Sequence, residues 1–435
     1  MTNYHRLAPA LFDRLAAGEG GAAAIEALRS AQLSKHLLLI GRLLRRWPGD
    51  AAERDAIAAA LHQARRRDPH AFGRVFAAPL VGGWTAIVSR AERRGRASWA
   101  DLAHLNALAM VACAAAGVDG AADVAMREGA VAVPGLGVAV IPTAGSRVKA
   151  RLIAESGRLV VRALNAVVVV PADPVEDGPG WQSVRHLVAT GAGPQIRLGL
   201  DDLDPYRHGH HAPPASRLPA AEFDLWRELF SVAWQLLAER MPGRAAELGA
   251  GLRTLVPLTQ QDERAARSAT IRHAFGVFGL TRPPSAADFA VTLVHEFQHS
   301  KLSAMLDLTP MTDPADRRRY FAPWRTDPRP LAGLLQGVYA FVGVADTWLA
   351  LRDVDGVGPV AEMRFAEARL QVDRGLAAIE GSGALTASGV AVAAGLRRAT
   401  DRLLAEPVSA ATARAAERAI EQALRRWWER HGGAG

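Results

Sequence analysis

His295, Glu296 and His299 form an H-E-x-x-H motif inside the stretch "DFAVTLVHEFQHSKLSAMLDL", residues 288–308. On a helix, residues four apart share a face about one turn apart, so two imidazoles at this spacing can reach one cation. Leu293, Val294, Phe297, Leu302, Met305 and Leu306 supply an apolar face that would hold the helix rigid. The same five residues serve two chemistries. In a zinc hydrolase Glu296 would be the general base acting on metal-bound water. In an iron oxygenase the cation would leave positions open for a co-substrate and dioxygen.

Either chemistry calls for a further ligand, and no third histidine follows at zincin spacing, since His299 is succeeded by "SKLSAMLDL". The later helix "RPLAGLLQGVYAFVGVADTWLALRD" offers Gln336, Tyr339 and Asp346 as polar candidates. Gln336 is placed more like a downstream zincin ligand, and Asp346 is the better donor chemically, being anionic. Their ten-residue separation turns them to different faces, so they are alternatives. Between the two helices runs the irregular stretch "TPMTDPADRRRYFAPWRTDPRP". Its prolines stiffen the backbone around Arg325 and Arg329, whose guanidinium forks match carboxylates. Two such arginines suit a dicarboxylate co-substrate better than an interior peptide bond. Asp327 is their nearest competing partner.

The elements that must position these groups follow from periodicity. Residues 7–115 carry helical apolar spacing, as in "SAQLSKHLLLIGRLLRRW" and "AAERDAIAAALHQARRR". From about 130, "AVAVPGLGVAVIP", "GRLVVRALNAVVVV" and "GPQIRLGLDDLDPYR" predict strands and hairpins, with a loop at "PADPVEDGPGW". Helix returns over 219–250, and "RSATIRHAFGVFGL", 267–280, predicts a strand just before the His-Glu helix. A long helix is expected from about 331 to 352, followed by alanine-rich helix from about 358. The fold class expected is α+β. Residues 1–130 would be a helical accessory region, 131–357 the β-rich and metal-binding core, and 358–435 the C-terminal helices. In the core, a zincin-like arrangement would pack the H-E-x-x-H helix on a small sheet.

Composition excludes several classes. Cys113 is the only cysteine, so there is no internal disulfide and no cysteine-based metal cluster. The formal charge of +8 is carried by scattered arginines without interleaved aromatics, which speaks against nucleic acid. No run of about 20 uncharged apolar residues is present, and the start lacks a signal-peptide layout. A cytoplasmic setting away from membranes is expected.

The paired stretches "LVHEFQHSKLSAMLDL" and "YFAPWRTDPRPLAGLLQGVYAF", with "SATIRHAFG" before them and "GLDDLDPYR" upstream, resemble the H-E-x-x-H-type peptide β-hydroxylases. These occur with ribosomal peptide natural-product clusters. The beginning, "LFDRLAAGEGGAAAIEALRSAQLSKHLLLI", is similar to that module too, so the resemblance spans most of residues 8–350. It implies Fe(II) and 2-oxoglutarate as cofactors and hydroxylation of a side-chain β-carbon in a precursor peptide. A peptide-maturation enzyme from the same cluster is an implied partner. His295 and His299 then match the metal ligands and Glu296 the motif acid, while Arg325 and Arg329 match the proline-rich loop. Asp201, Asp202, Asp204, Tyr206 and Arg207 match an acidic motif, for which substrate positioning is one role. The resemblance also implies a histidine in the later helix, where this chain carries Gln336 or Phe341. The alternatives are a zinc metallopeptidase using Glu296 as base and a non-catalytic peptide-binding scaffold.

Overall fold

The computed structural model describes residues 5–47, 49–142, 147–190, 195–208, 213–260 and 266–431. Gly193 and Pro194 of one expected strand lie outside the described residues, as do both chain ends.

Six helices come first: α1 (Pro9–Ala16), α2 (Gly21–Arg45), α3 (Ala51–Arg67), α4 (Pro69–Phe76), α5 (Pro79–Arg93) and α6 (Trp99–Ala115). Prolines at the first turns of α1, α4 and α5 start helices where an N–H would go unpaired anyway. A capping box between Ser98 and Asp101 starts α6, which is apolar nearly all round and accordingly buried.

An antiparallel sheet follows, built from β1 (Gly120–Arg127), β2 (Ala130–Val133), β3 (Gly137–Val140), β4 (Arg147–Glu155), β5 (Arg158–Ala163), β6 (Ala166–Val169) and β7 (Trp181–Ser183). Its order is β6-β5-β4-β1-β2-β3-β7. The sheet thus begins at Gly120, ten residues earlier than the periodicity suggested.

The second half contains β8 (Arg185–Ala189), β9 (Ile196–Leu200), α7 (Ala220–Arg240), α8 (Pro242–Gly251), β10 (Thr254–Pro257), β11 (Ser268–Thr270) and β12 (Val277–Leu280). Then come α9 (Ala286–Leu306), α10 (Leu331–Ala350), α11 (Gly358–Glu380), α12 (Ala387–Ala405) and α13 (Ala410–His431). The five strands form a mixed sheet, β11-β12-β10-β9-β8, in which β10 runs parallel to both neighbours. The chain is therefore α+β, as its sequence suggested.

The single strand expected over 267–280 is two. β11 pairs antiparallel with β12, and the chain turns between them through Ala274, whose N–H bonds the Ile271 carbonyl, and Gly276 at φ +80°. A Cβ on Gly276 would lie 2.2 Å from the Gly251 carbonyl oxygen, so this turn fits only a glycine. Likewise the helix expected over 219–250 is broken at Met241, because Pro242 cannot continue it.

Two large hydrophobic cores are present, with a small third around Val256, Leu258 and Val277. One joins α3–α6 to the seven-stranded sheet, with Phe76, Trp84, Leu105, Val131 and Val161 at its centre. The other gathers the mixed sheet with α1 and α7–α12 around Phe230, Trp234, Phe289, Val338 and Phe365. Helix α2 contributes Ile25 and Leu28 to the second core and Ile40 and Leu43 to the first. Helices α3–α6 and the first seven strands thus share one core, and α11 and α12 belong to the core that carries α9. Among the described residues no single helix is long and apolar enough to cross a membrane. The bent pair α4–α5, which reaches that composition jointly, sits with Phe72, Phe76 and Trp84 in the first core.

Candidate metal centre

Helix α9 begins at Ser285, whose side chain accepts from the Asp288 amide, and it packs against α7, α10 and the β11–β12 edge of the mixed sheet. Its two polar faces have different partners. On the inner face, Lys301 is fully buried and donates to Glu247 (2.6 Å) and to the Gly18 carbonyl (2.9 Å), where Gln298 and Arg244 also donate. Burial brings Lys301 down to about 8, with Glu247 acting the other way. These bonds fasten the α1–α2 turn to the back of α9, so the helix cannot rotate without leaving a buried charge unpaired.

The other face carries the motif. The His295 and His299 rings lie 4.7 Å apart between centroids at 86° to each other. Burial, with the neighbouring His299 second, pushes His295 down to about 4, so it is neutral at ordinary pH and its lone pair is free to ligate. His299 Nδ1 is 3.1 Å from Gln336 Oε1, and Gln336 Nε2 donates to Ser303 Oγ at 3.3 Å. With the amide oxygen on that side, an Nδ1–H would donate to it and Nε2 would be left toward a cation. Gln336, the third ligand the sequence suggested, thus lies against His299 and is hydrogen-bonded to it.

Glu296 is 2 % exposed. The Thr270 hydroxyl on β11 donates to its Oε2 and to its backbone carbonyl, while Oε1 lies 3.7 Å from His295 Nε2. Thr270 was missed by sequence reasoning. Its signal was the strand just ahead of the motif helix, which had to supply something to the buried acid.

Asp346 is not in this group. It pairs with Arg244 at 3.0 Å, on the inner network. It lies five residues beyond Phe341, about 140° further round α10, and Phe341 is the residue that meets the His295 ring edge-on at 5.5 Å. Tyr339 is buried and donates to the Leu15 carbonyl, so it too serves the inner face. The two positions named by the resemblance, Gln336 and Phe341, are the ones that stand against His299 and His295.

The proline-rich loop reaches the same neighbourhood through Trp324, which stacks on Phe341 at 4.7 Å. Trp324 lies on bare backbone at Gly337, where a Cβ would meet its ring at 2.1 Å. Tyr320 and Arg329 close the loop as an isolated antiparallel bridge. Both arginines hold Asp327, Arg325 at 2.7 Å and Arg329 at 3.2 Å, and each keeps a third to a half of its side chain exposed. The acidic motif is elsewhere. Asp202 sits between Arg185 and Arg217, and Asp201 accepts from the Leu203 and Asp204 amides. Asp204 accepts from the Tyr206 amide, and the Tyr206 hydroxyl donates to Asp101. Arg207 ties the Asp204 and Ala215 carbonyls.

Two imidazoles on one helix face are the donor type a divalent cation takes. Among the described residues no third His, Cys, Asp or Glu joins them as a ready three-ligand group. Glu296 and Gln336 are the side chains beside them that bring oxygen. No protein-family model matches this chain, and no curated protein matches it.

Proposed function

We propose that this chain is an Fe(II)- and 2-oxoglutarate-dependent oxygenase with a zincin-type metal core, hydroxylating a side-chain β-carbon of a ribosomally made precursor peptide. The observation that carries the reading is the perpendicular pair His295 and His299 on one helix face, with His299 held by Gln336 beside an arginine-bearing loop. A zinc hydrolase needs three protein ligands and one open position. Two imidazoles with one carboxylate serve zinc hydrolases and non-haem iron oxygenases alike, Glu296 being the carboxylate at hand, and the arginine-bearing loop beside them is what favours iron with a carboxylate co-substrate. Two guanidiniums on the single carboxylate of Asp327 leave one positive charge in excess. A carboxylate of 2-oxoglutarate would take the place of Asp327 there. Bound iron would supply the redox chemistry by which 2-oxoglutarate loses carbon dioxide to give succinate, one atom of dioxygen entering succinate and the other the peptide carbon. Partners implied are the precursor peptide and a maturation enzyme of the same cluster.

The second reading, a zinc metallopeptidase with Glu296 as base, draws on the buried carboxylate so close to His295. One experiment separates them. Protein reconstituted anaerobically with Fe(II) and 2-oxoglutarate, then exposed to air with a candidate peptide, should release succinate and add one oxygen, about 16 Da. His295→Ala and His299→Ala proteins should lose most of their metal after identical reconstitution. Peptide cleavage with zinc and no succinate with iron would overturn the oxygenase reading.

A further inference from the structure

A cavity of about 560 Å³ lies where the two hydrophobic cores meet, between α4–α6, the β2–β3 turn and the β8–β9 strands. Its size is that of a small-molecule site. Neither His295 nor His299 lines it. Leu108, Val111, Leu136 and Val184 give it an apolar wall, and Arg29, Arg74 and Arg253 bring three guanidiniums. Arg253 already caps the carbonyls at the end of α8, and Arg29 pairs with Glu26. Arg74 is exposed on α4 and feels Asp68 only at a distance.

The polar groups in the wall are unusual. His104 is 7 % exposed and packed between Trp84 (5.4 Å) and Tyr206 (4.6 Å), with its ring forming part of the cavity wall. Burial, with Arg127 second, holds it down to about 3, so it is a neutral donor and acceptor. His186 Nδ1, also in the wall, is buried without a partner. A buried polar atom left unpaired costs about 1–3 kcal/mol, a penalty a bound ligand would remove. Asp201 and Asp204 complete the lining. Burial raises both, with Asp202 repelling Asp201 and Asp201 repelling Asp204, the latter to about 7, and against these two carboxyls stand three guanidiniums, so the lining is net cationic.

We propose that this cavity is a second binding site, taking a small apolar carboxylate whose chain lies on the Leu108–Val111 wall, whose anion meets Arg74 and whose oxygen engages His104. The proposal is independent of the metal centre, and its test keeps the two apart. Decanoate, decanol and decylamine are titrated calorimetrically into the full chain and into the His295→Ala/His299→Ala double variant. Decanoate should saturate one site equally in both proteins. Arg74→Ala, at an exposed position that leaves folding intact, should weaken decanoate about tenfold to hundredfold and leave decanol unchanged, the loss of one charge-assisted hydrogen bond. His104→Phe keeps the aromatic packing and should weaken decanoate as well. Absence of saturable decanoate binding, equal binding by wild type and both variants, or preference for decylamine would each overturn it.

Discussion

Segments 201–207 and 320–329 both concentrate charge on a loop, but they sit at opposite ends of a scale of enclosure. The Asp202 side chain is fully enclosed, held at 2.7 Å by Arg185 and 2.8 Å by Arg217, with the Leu218 amide as a third donor. Arg217 in turn reaches Asp177, and Tyr206 reaches Asp101 on α6, so segment 201–207 ties the β8–β9 region to the first core. Asp327 is about half exposed and has only the two loop arginines, which are themselves open to solvent. The first segment is a joint whose charges are consumed by the fold. The second is an open clamp whose charges remain available to a ligand. Charge density alone does not tell these apart; the partners do.

The comparison can be broken most sharply at Asp202. Asp202→Ala should cost about 3–5 kcal/mol by denaturant unfolding, because it leaves the largely enclosed Arg185 without a carboxylate and takes one of two from Arg217. A loss below about 1 kcal/mol would mean that segment 201–207 is no joint.

In the open loop the large effect should fall on ligand and not on fold. Arg325→Ala or Arg329→Ala should raise the apparent 2-oxoglutarate constant about tenfold to hundredfold with little change in unfolding midpoint. Lysine keeps the charge but not the fork, so Arg→Lys should be impaired too. If neither alanine variant moves that constant, the clamp has no co-substrate role.

The joint should also have a pH signature. Asp204 holds its proton up to about 7 in the folded chain against 3.8 for the ordinary group. Between those values the native state binds more protons than the unfolded one, so this group's contribution falls as pH rises. Relative to Asp204→Asn, the wild type should therefore lose stability, on the order of 1–3 kcal/mol, from about pH 5 to pH 8. The comparison cancels the buried histidines His36 and His104, whose lowered values act in the opposite direction below pH 6.5. A flat difference between the two proteins would remove Asp204 from the buried set.

The smallest effect belongs to Asp327→Ala. An exposed ion pair contributes about 0–1 kcal/mol, so stability should barely change. Affinity for 2-oxoglutarate should rise, since an internal competitor is gone. A weaker co-substrate would show that Asp327 shapes the loop and does not occupy a ligand's place.

The sequence by itself determined the local features of this protein. The four-residue spacing of His295 and His299 put both rings on one helix face, and the helix over 331–350 was legible from its apolar run. Gly and Pro marked the sheet turns, and the mixture of helix and strand was visible in the change of period near 130, although β1 itself starts at Gly120. What sequence could not supply was pairing across distance. The Thr270 hydroxyl on Glu296 crosses 26 residues, Gln336 on His299 crosses 37, and Arg244 on Asp346 crosses 102. Periodicity reports which face of an element is apolar, not which element covers it, so Gln336 and Asp346 stayed alternatives until α9 and α10 were packed together. The two cores were hidden for the same reason. Helix α2 reads as one continuous amphipathic run, and only the tertiary fold divides its apolar residues between two sheets, leaving between them the cavity around His104.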